Sequence, residues 1–472
     1  NNAFGKAALG NNTTGENNNA FGLGAGFNNT TGNANCFFGR DAGQSNSSGS
    51  NNVAVGHYAL EENTTANHNT ALGYEALREN TTASNNTAVG RLALTTNTTG
   101  EVNTAVGAGA LRLNTTANNN TALGYVALEA NTTGTNNTSI GAYALDANTT
   151  GQSNVAVGTG ALGANTTASN NTGVGKDALS ANTTGTENIA IGAASLTVNT
   201  EGDANIAIGF QCLDANTTGD TNVAVGRSAL GGNTTADGNT AVGHFTLLNS
   251  TTGTNNAAFG KNALVSNTTG GSNVALGAFA LDSNTTGEQN TAVGHNCGHR
   301  ITTGSFNALL GKTAGQGIDT NSYCVAVGFE ALVDTSLSGN NHTALGFRSM
   351  YKNTSGASNS GLGFRTLHEN TTGSFLTAIG NDSLFANTTG DNNTGGGYYS
   401  LRENTTGDNN TGFGRNALAV NTTGSQNTAV GSLALDANTT TSNNTAVGYA
   451  ALSANTTGRN TAFGSQALKD VQ

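Results

Sequence analysis

His295, Cys297 and His299 are the residues whose types and spacing best suit metal coordination. Alternate residues of an extended strand point to one face, and imidazole and thiolate groups are ligands that zinc and copper take. The spacing therefore permits a metal ion bound within one chain or on a threefold axis between chains. A plainer interpretation places the histidines at variable surface positions and the cysteine where alanine usually stands. We prefer that interpretation and predict neither a metal nor another cofactor.

The remaining reactive side chains form no catalytic pattern. Glu61, Asp146 and Asp214 stand singly, so no paired carboxylates are expected, and the Gly-Gly-x-Gly-x-Asp repeat of calcium-binding β-rolls is absent. Gly22 and Gly24 lack the strand-to-helix context that a phosphate-binding loop requires. No Ser-His-Asp arrangement can be placed either. The sequence thus predicts a protein that is not an enzyme.

The commonest polar motif is Asn-Thr-Thr, which is formally an acceptor for N-linked glycans. Its asparagines recur every 17 residues at Asn63, Asn80, Asn97, Asn114 and Asn131. Glycans repeated at the strand spacing of about 4.8 Å would collide, whereas amides stacked at that spacing can donate to and accept from one another. We predict a structural asparagine ladder.

These residues belong to one repeat, close to Asn-Thr-Ala-Val-Gly-x-x-Ala-Leu-x-x-Asn-Thr-Thr-Gly-x-x, that recurs about 28 times. Its positions are numbered 1 to 17 from the leading Asn. Such periodicity is typical of stacked units that complete one another's core, so residues 1–472 are predicted to form one continuous array. The phase slips by a one-residue insertion before His342 and a one-residue deletion before Asn460.

The array is most irregular between about residues 295 and 342. There the Asn-Thr-Thr turn is lost at Ile301, Ile318 and Thr335. A kink, a bulged loop, a ligand surface and simple sequence drift all remain open for this segment.

Position 5 is a recurrent glycine, which indicates a corner with positive φ or without room for a Cβ. The first six corner glycines are Gly5, Gly22, Gly39, Gly56, Gly73 and Gly90. Positions 2 to 4 are rich in β-branched residues, and Asn-Thr-Thr-Gly favours a turn. The pattern predicts an all-β fold, a parallel β-solenoid or β-roll of about 28 seventeen-residue rungs.

Alternation within the strand is expected to point position 4 inward, beside Leu at position 9, and position 3 outward. Position 3 is nevertheless mostly alanine, as at Ala54, Ala71, Ala88 and Ala105. A small apolar stripe facing outward would suit packing against a second copy. We therefore predict a homo-oligomer, with a trimer favoured, or an end-to-end filament. The alternative is that alanine merely suits the tight corner.

Composition excludes several partners. The net charge is −11 without any basic run, which leaves nothing to drive binding to nucleic acid. No apolar run is long enough to cross a membrane within this segment. Four cysteines in 472 residues do not make a disulfide framework.

Asn188–Gly192 and Asn205–Gly209 both read Asn-Ile-Ala-Ile-Gly. With the consensus repeat, they make the chain similar to the head repeats of trimeric autotransporter adhesins and to repeats of phage and viral tail fibres. The resemblance implies a left-handed parallel β-roll, three chains side by side, and a place on a cell or virion surface that engages a receptor or glycan.

The expected function is therefore that of a non-enzymatic, extracellular structural protein, a rigid fibre or adhesin rod such as a surface filament or tail-fibre shaft. Two binding functions are alternatives. The Thr13-Thr14 pair and its successors form regular columns of hydroxyls that would suit ice, and a tail spike would bind carbohydrate through an aromatic or acidic cleft.

Overall fold

The computed structural model describes residues 1–334 and 337–470. These residues form 28 strands of three residues each and no helix. The chain folds into two compact units, Asn1–Gly238 and Asn239–Gln472. Each unit is a parallel β-solenoid, as predicted. Continuity of one array across both units stays a prediction.

The first unit contains β1 (Asn2–Phe4), β2 (Asn19–Phe21), β3 (Cys36–Phe38), β4 (Val53–Val55), β5 (Thr70–Leu72), β6 (Thr87–Val89), β7 (Thr104–Val106), β8 (Thr121–Leu123), β9 (Thr138–Ile140), β10 (Val155–Val157), β11 (Thr172–Val174), β12 (Ile189–Ile191), β13 (Ile206–Ile208) and β14 (Val223–Val225). The second contains β15 (Thr240–Val242), β16 (Ala257–Phe259), β17 (Val274–Leu276), β18 (Thr291–Val293), β19 (Ala308–Leu310), β20 (Val325–Val327), β21 (Thr343–Leu345), β22 (Ser360–Leu362), β23 (Thr377–Ile379), β24 (Thr394–Gly396), β25 (Thr411–Phe413), β26 (Thr428–Val430), β27 (Thr445–Val447) and β28 (Thr461–Phe463).

Consecutive strands within a unit pair in parallel, one repeat apart, so Val53 lies beside Thr70. The two phase slips are absorbed between strands. Val325 pairs with Thr343 across the insertion, and Thr445 pairs with Thr461 across the deletion. The predicted insertion and deletion thus leave the strand register unchanged.

The corner glycines both adopt positive φ and leave no room for a Cβ, the two properties that their recurrence indicated. Gly56 has φ of 138°, and a Cβ built there would lie 2.3 Å from the carbonyl oxygen of Gly73 in the next coil. Gly5, Gly22, Gly39, Gly73 and Gly90 have the same geometry. Close stacking of coils at this corner therefore excludes every residue except glycine.

In most coils three further positions adopt positive φ without being glycine. In the coil that begins at Asn52 they are Tyr58, Leu60 and His68, at positions 7, 9 and 17, with φ of 61°, 53° and 60°. Each such residue costs on the order of 1–2 kcal/mol. Hydrogen bonds to the neighbouring coils, such as Leu60 N–H to Ala76 O at 3.0 Å, offset that cost. The residue types at positions 7 and 9 gave no sign of this conformation, whereas position 17 is often asparagine, as at Asn51 and Asn85, which adopts positive φ more readily than most residues.

The predicted orientation of the strand residues is reversed in the structure. Ala54, Ala71, Ala88 and Ala105 are 0% exposed and line the interior of their own coils. Position 4 points outward instead, and Leu72 is 43% exposed. The alanine stripe is therefore core and cannot be the surface that meets a second copy.

The narrow interior explains the reversal, because Leu at position 9 leaves room only for a methyl group at position 3. Where two consecutive coils carry glycine at position 9, position 3 of the second coil becomes large. A Cβ on Gly43 would lie 2.3 Å from the ring of Phe37, and one on Gly26 would lie 2.7 Å from it. Leu309 fills the same space beside Gly298 and Gly315. Core volume is thus exchanged between two positions that are far apart in the repeat.

The irregular segment keeps its strands. Ile301 and Ile318 stand at position 12 and are fully buried with Leu309 close by, so this stretch of the core is apolar where other coils bury asparagine. Thr335, the third site at which the turn motif is lost, lies outside the described residues.

Replacing Phe37 by Ala should lower the free energy of unfolding of the first unit by about 3–5 kcal/mol, because the cavity beside Gly26 and Gly43 stays empty. Adding Gly26→Leu and Gly43→Leu restores the usual Ala and Leu combination and should recover most of that loss. Denaturant unfolding followed by circular dichroism measures both effects. A triple variant no more stable than Phe37→Ala would show that the three sites do not share one space.

Candidate functional site

The asparagines at position 12 form a continuous hydrogen-bonded column through successive coils. Asn63 Nδ2 donates to Asn46 Oδ1 at 2.6 Å, and Asn114 Nδ2 donates to Asn97 Oδ1 at 2.8 Å. The column includes all the predicted ladder members: Asn63, Asn80, Asn97, Asn114 and Asn131. Each amide also donates to the carbonyl at position 15 of its own coil, such as Asn114 to Ala117 O at 3.1 Å. A glycan on these buried nitrogens would displace both bonds.

A second asparagine column, at position 1, was not predicted. Asn69 N–H donates to Asn52 Oδ1 at 2.9 Å, and Asn69 Nδ2 donates to Ala83 O at 3.0 Å. Position 1 is asparagine even more regularly than position 12, so the signal was present in the sequence. The apolar strand that follows position 1 is the stronger pattern and obscures it.

The threonine column at position 13 is largely engaged inside the fold. Thr64 Oγ1 donates to Thr81 O at 3.0 Å, and the same bond recurs in successive coils, as from Thr81 Oγ1 to Thr98 O. The neighbouring Thr65, at position 14, is exposed. Of the paired hydroxyl columns that suggested ice binding, one is therefore committed to backbone carbonyls.

Both asparagine columns are interrupted within the irregular segment. Ile301 and Ile318 replace position 12, while Cys324 and His342 replace position 1. The interruption leaves buried Asn284 Oδ1 without a hydrogen-bond donor among the described residues. His342 is fully buried, and burial lowers its pKa to about 4.

His295, Cys297 and His299 do not converge. Cys297 points into the core with Sγ 3.6 Å from Ala314 O, and burial raises the pKa of its thiol to about 12. His299 turns to the surface, where Nδ1 lies 2.5 Å from Asp282 Oδ1. No group of three metal-ligating side chains occurs within residues 1–334 and 337–470.

Most charged side chains lie at the outer turn of the coil, around positions 6, 7, 10 and 11, and several of them pair between coils. Arg78 Nε is 3.0 Å from Glu61, and Arg365 Nη2 is 2.7 Å from the buried carboxylate of Asp382. Asp146 and Asp214 lie at position 10, and partial burial raises the pKa of each carboxyl. The isolated acids of the sequence are thus not gathered into a catalytic pair.

The outer face of the strands, formed by positions 2 and 4, carries no charge in any of the 28 strands. Position 4 is Val, Leu, Ile or Phe in 27 of them, with Gly396 as the exception. Position 2 is mostly Thr, Val or Ile, and its side chains are partly exposed. We call this surface the strand face. Within each unit it is a continuous uncharged strip, apolar at position 4 and mostly threonine or another β-branched residue at position 2, that the described residues leave uncovered.

No known protein family matches this chain, and no curated protein sequence is similar enough to match it. Among the described residues, no helix is long and apolar enough to cross a membrane. The strand face and the internal columns are therefore the features on which a functional interpretation rests.

Replacing Asn114 by Ala should lower the free energy of unfolding by roughly 2–4 kcal/mol, because Asn97 Oδ1 and Asn131 Nδ2 each lose a buried partner. Thr116→Ala is the matched control, since Thr116 is exposed and belongs to the same turn. Chemical denaturation of the two variants measures the difference. Equal stabilities would mean that the column contributes nothing to the fold.

His342 should make the second unit less stable in acid. Its folded pKa of about 4 lies below the usual value of 6.5, so the unfolded chain takes up a proton that the folded chain resists. Stability should therefore fall by roughly 3 kcal/mol as the pH drops from 6.5 to 4. The raised pKa values of Asp282 and Asp436 act in the opposite direction, so the effect is read as a difference between variants.

His342→Asn restores the residue usual at position 1 and should remove this pH dependence. His68→Asn, at an exposed position, is the control and should leave it unchanged. Unfolding free energies are measured at intervals between pH 7 and 4. Parallel pH profiles for wild type and His342→Asn would contradict the assignment.

Proposed function

We propose that this chain is a non-enzymatic structural protein of an extracellular fibre or adhesin rod, on a cell or virion surface, whose copies associate through the strand face. The observation that carries the proposal is the charge-free strand face, with its row of partly exposed Val, Leu, Ile and Phe side chains at position 4. Soluble monomers rarely expose contiguous apolar patches above a few hundred Å². A surface of this kind is expected to be buried against another surface of the same character.

A second copy is the partner that best suits the strand face. In the first unit, Leu72, Leu123 and Ile191 are each 40–46% exposed and are aligned at the same position of the repeat. A second copy offers the same spacing and the same lack of charge, so every exposed apolar residue meets its counterpart. Three copies around an axis, as the adhesin resemblance implies, would bury the strand face in a shared core.

The organisation inside the coil supports a structural function. The side chains that recur most strictly are glycine at the corner, asparagine in the columns, and alanine and leucine in the core. All of them serve to hold adjacent coils together. The Thr13-Thr14 columns that suggested ice binding gain no comparable support, because the position 13 hydroxyls already donate to carbonyl oxygens.

Placing three glutamates on the strand face, as Leu72→Glu, Leu123→Glu and Ile191→Glu together, should dissociate the assembly. Burying unpaired carboxylates against apolar side chains costs several kcal/mol, so association should weaken at least a hundredfold. Sedimentation velocity measures the assembled fraction, and circular dichroism checks that the solenoid remains folded.

The matched control places three glutamates at position 6, as Leu23→Glu, Tyr74→Glu and Phe210→Glu, because those residues are 43–47% exposed but lie off the strand face. This control should assemble like the wild type. Cys36 supplies an independent readout, since it lies on the strand face and is partly exposed. Mild oxidation should link assembled copies through it. A wild-type chain that is monomeric at high concentration would overturn the proposal.

A further inference from the structure

A notch of about 150 Å³ opens on the outer turn of the first unit, where three consecutive coils meet. It exists because Ala108 and Gly109 are small at positions 6 and 7. The coils on either side carry Leu92 and Val126 at position 7, and these two side chains form the apolar walls of the notch. The opening of the notch is surrounded by Arg91, Arg112, Tyr125 and Glu129.

The polar groups of the notch leave one guanidinium unpaired. Arg112 Nε is 2.7 Å from Glu129, so that pair is closed. Arg91 is exposed, and its side chain makes no hydrogen bond or ion pair with any described residue. Two arginines therefore face one carboxylate in a chain whose net charge is −11. The lining of the notch thus carries one net positive charge, and Asp146, which interacts with Glu129, lies one coil beyond it.

Tyr125 gives the notch an exposed aromatic ring, with 54% of its surface accessible. Its neighbours at position 6 in the adjoining coils are Ala108 and Ala142, which do not cover a ring. Tyr143 contacts it only edge-on, with ring centroids 5.5 Å apart and planes at 79°. A flat ligand can therefore pack against Tyr125 beside the Arg91 guanidinium.

Two comparable places on the outer turn lack this combination. A similar depression beside Gly24 contains Arg40, but that guanidinium is paired with Asp41 at 3.1 Å. In the second unit, Phe347 stacks between other rings, and Arg348 is paired with Glu330 at 2.6 Å. These clusters satisfy their own charges and cover their own rings.

We propose that the notch around Gly109 binds an anionic saccharide. The sugar ring would pack against Tyr125, its carboxylate or sulfate would accept hydrogen bonds from Arg91, and a hydroxyl would donate to Glu129. A single acidic sugar suits one unpaired guanidinium, whereas a densely charged polyanion would be repelled by the acidic chain. The site lies within one chain, so it does not depend on assembly into a fibre.

Saturation-transfer NMR on the full chain tests the proposal with 3′-sialyllactose, 3′-sulfated lactose and neutral lactose as probes. Transfer to the sialyl or the sulfated probe, but not to lactose, is the expected result. The two charged probes distinguish a carboxylate from a sulfate as the group bound by Arg91. Equal transfer to all three probes, or transfer to none, would overturn the proposal.

Two variants locate the site. Arg91→Gln should weaken binding of the charged probe about tenfold or more, while Arg300→Gln removes an exposed positive charge elsewhere and should not. Gly109→Leu should abolish binding by filling the notch, and Leu92 already shows that position 7 accepts leucine with φ of 59°. Gly160→Leu is its control at the same repeat position. Undiminished binding in Arg91→Gln and Gly109→Leu would refute the location.

Discussion

A buried asparagine amide must find its hydrogen-bond partners one coil away, and this requirement governs the rest of the structure. Asn63 Nδ2 donates to Asn46 Oδ1 at 2.6 Å, and Asn69 N–H donates to Asn52 Oδ1 at 2.9 Å. A shift of one coil relative to the next would break both bonds. A coil with an inserted or deleted residue must regain the register of its neighbours before its next column asparagine, or that asparagine loses its hydrogen-bond partner. The insertion before His342 falls where asparagine is absent from both columns. The deletion before Asn460 falls where both columns keep asparagine, and Asn460 N–H still donates to Asn444 Oδ1 at 2.9 Å. Polar bonding along the stack thus holds successive coils in register, and it tolerates a change in coil length where the chain regains that register.

The apolar part of the coil has a small, constant volume. Leu at position 9 and Ala at position 3 fill it in most coils, and the exchanges at Phe37 and Leu309 keep it filled. Because the interior accepts no more, the larger strand residues are turned outward. The exposed strand face is therefore a consequence of how little the coil can enclose, and the surface proposed for assembly has its origin in core packing.

The fold was predictable from the sequence because stacked coils of equal length produce a strict sequence period. The corner glycines and the position 12 column were predictable from the same regularity. Alternation alone could not predict which strand side chains face the core, since Ala54 and Val55 are both apolar. The decisive signal was the pairing of Phe37 with Gly26 and Gly43, which relates positions that only the folded coil brings together. The notch at Gly109 was hidden for a similar reason, because its lining comes from three separate repeats.

The volume exchange around Phe37 has a consequence for how a chain of near-identical coils finds its register. Most coils could stack on any other, so a folding chain could skip a repeat and still form good hydrogen bonds. The aromatic ring fits only where its own coil and the preceding one both carry glycine at position 9. Leu309 imposes the same condition with Gly298 and Gly315. These two residues therefore help to set the register of the coils. A skipped or swapped repeat would place the large side chain against leucine at position 9, which is sterically costly.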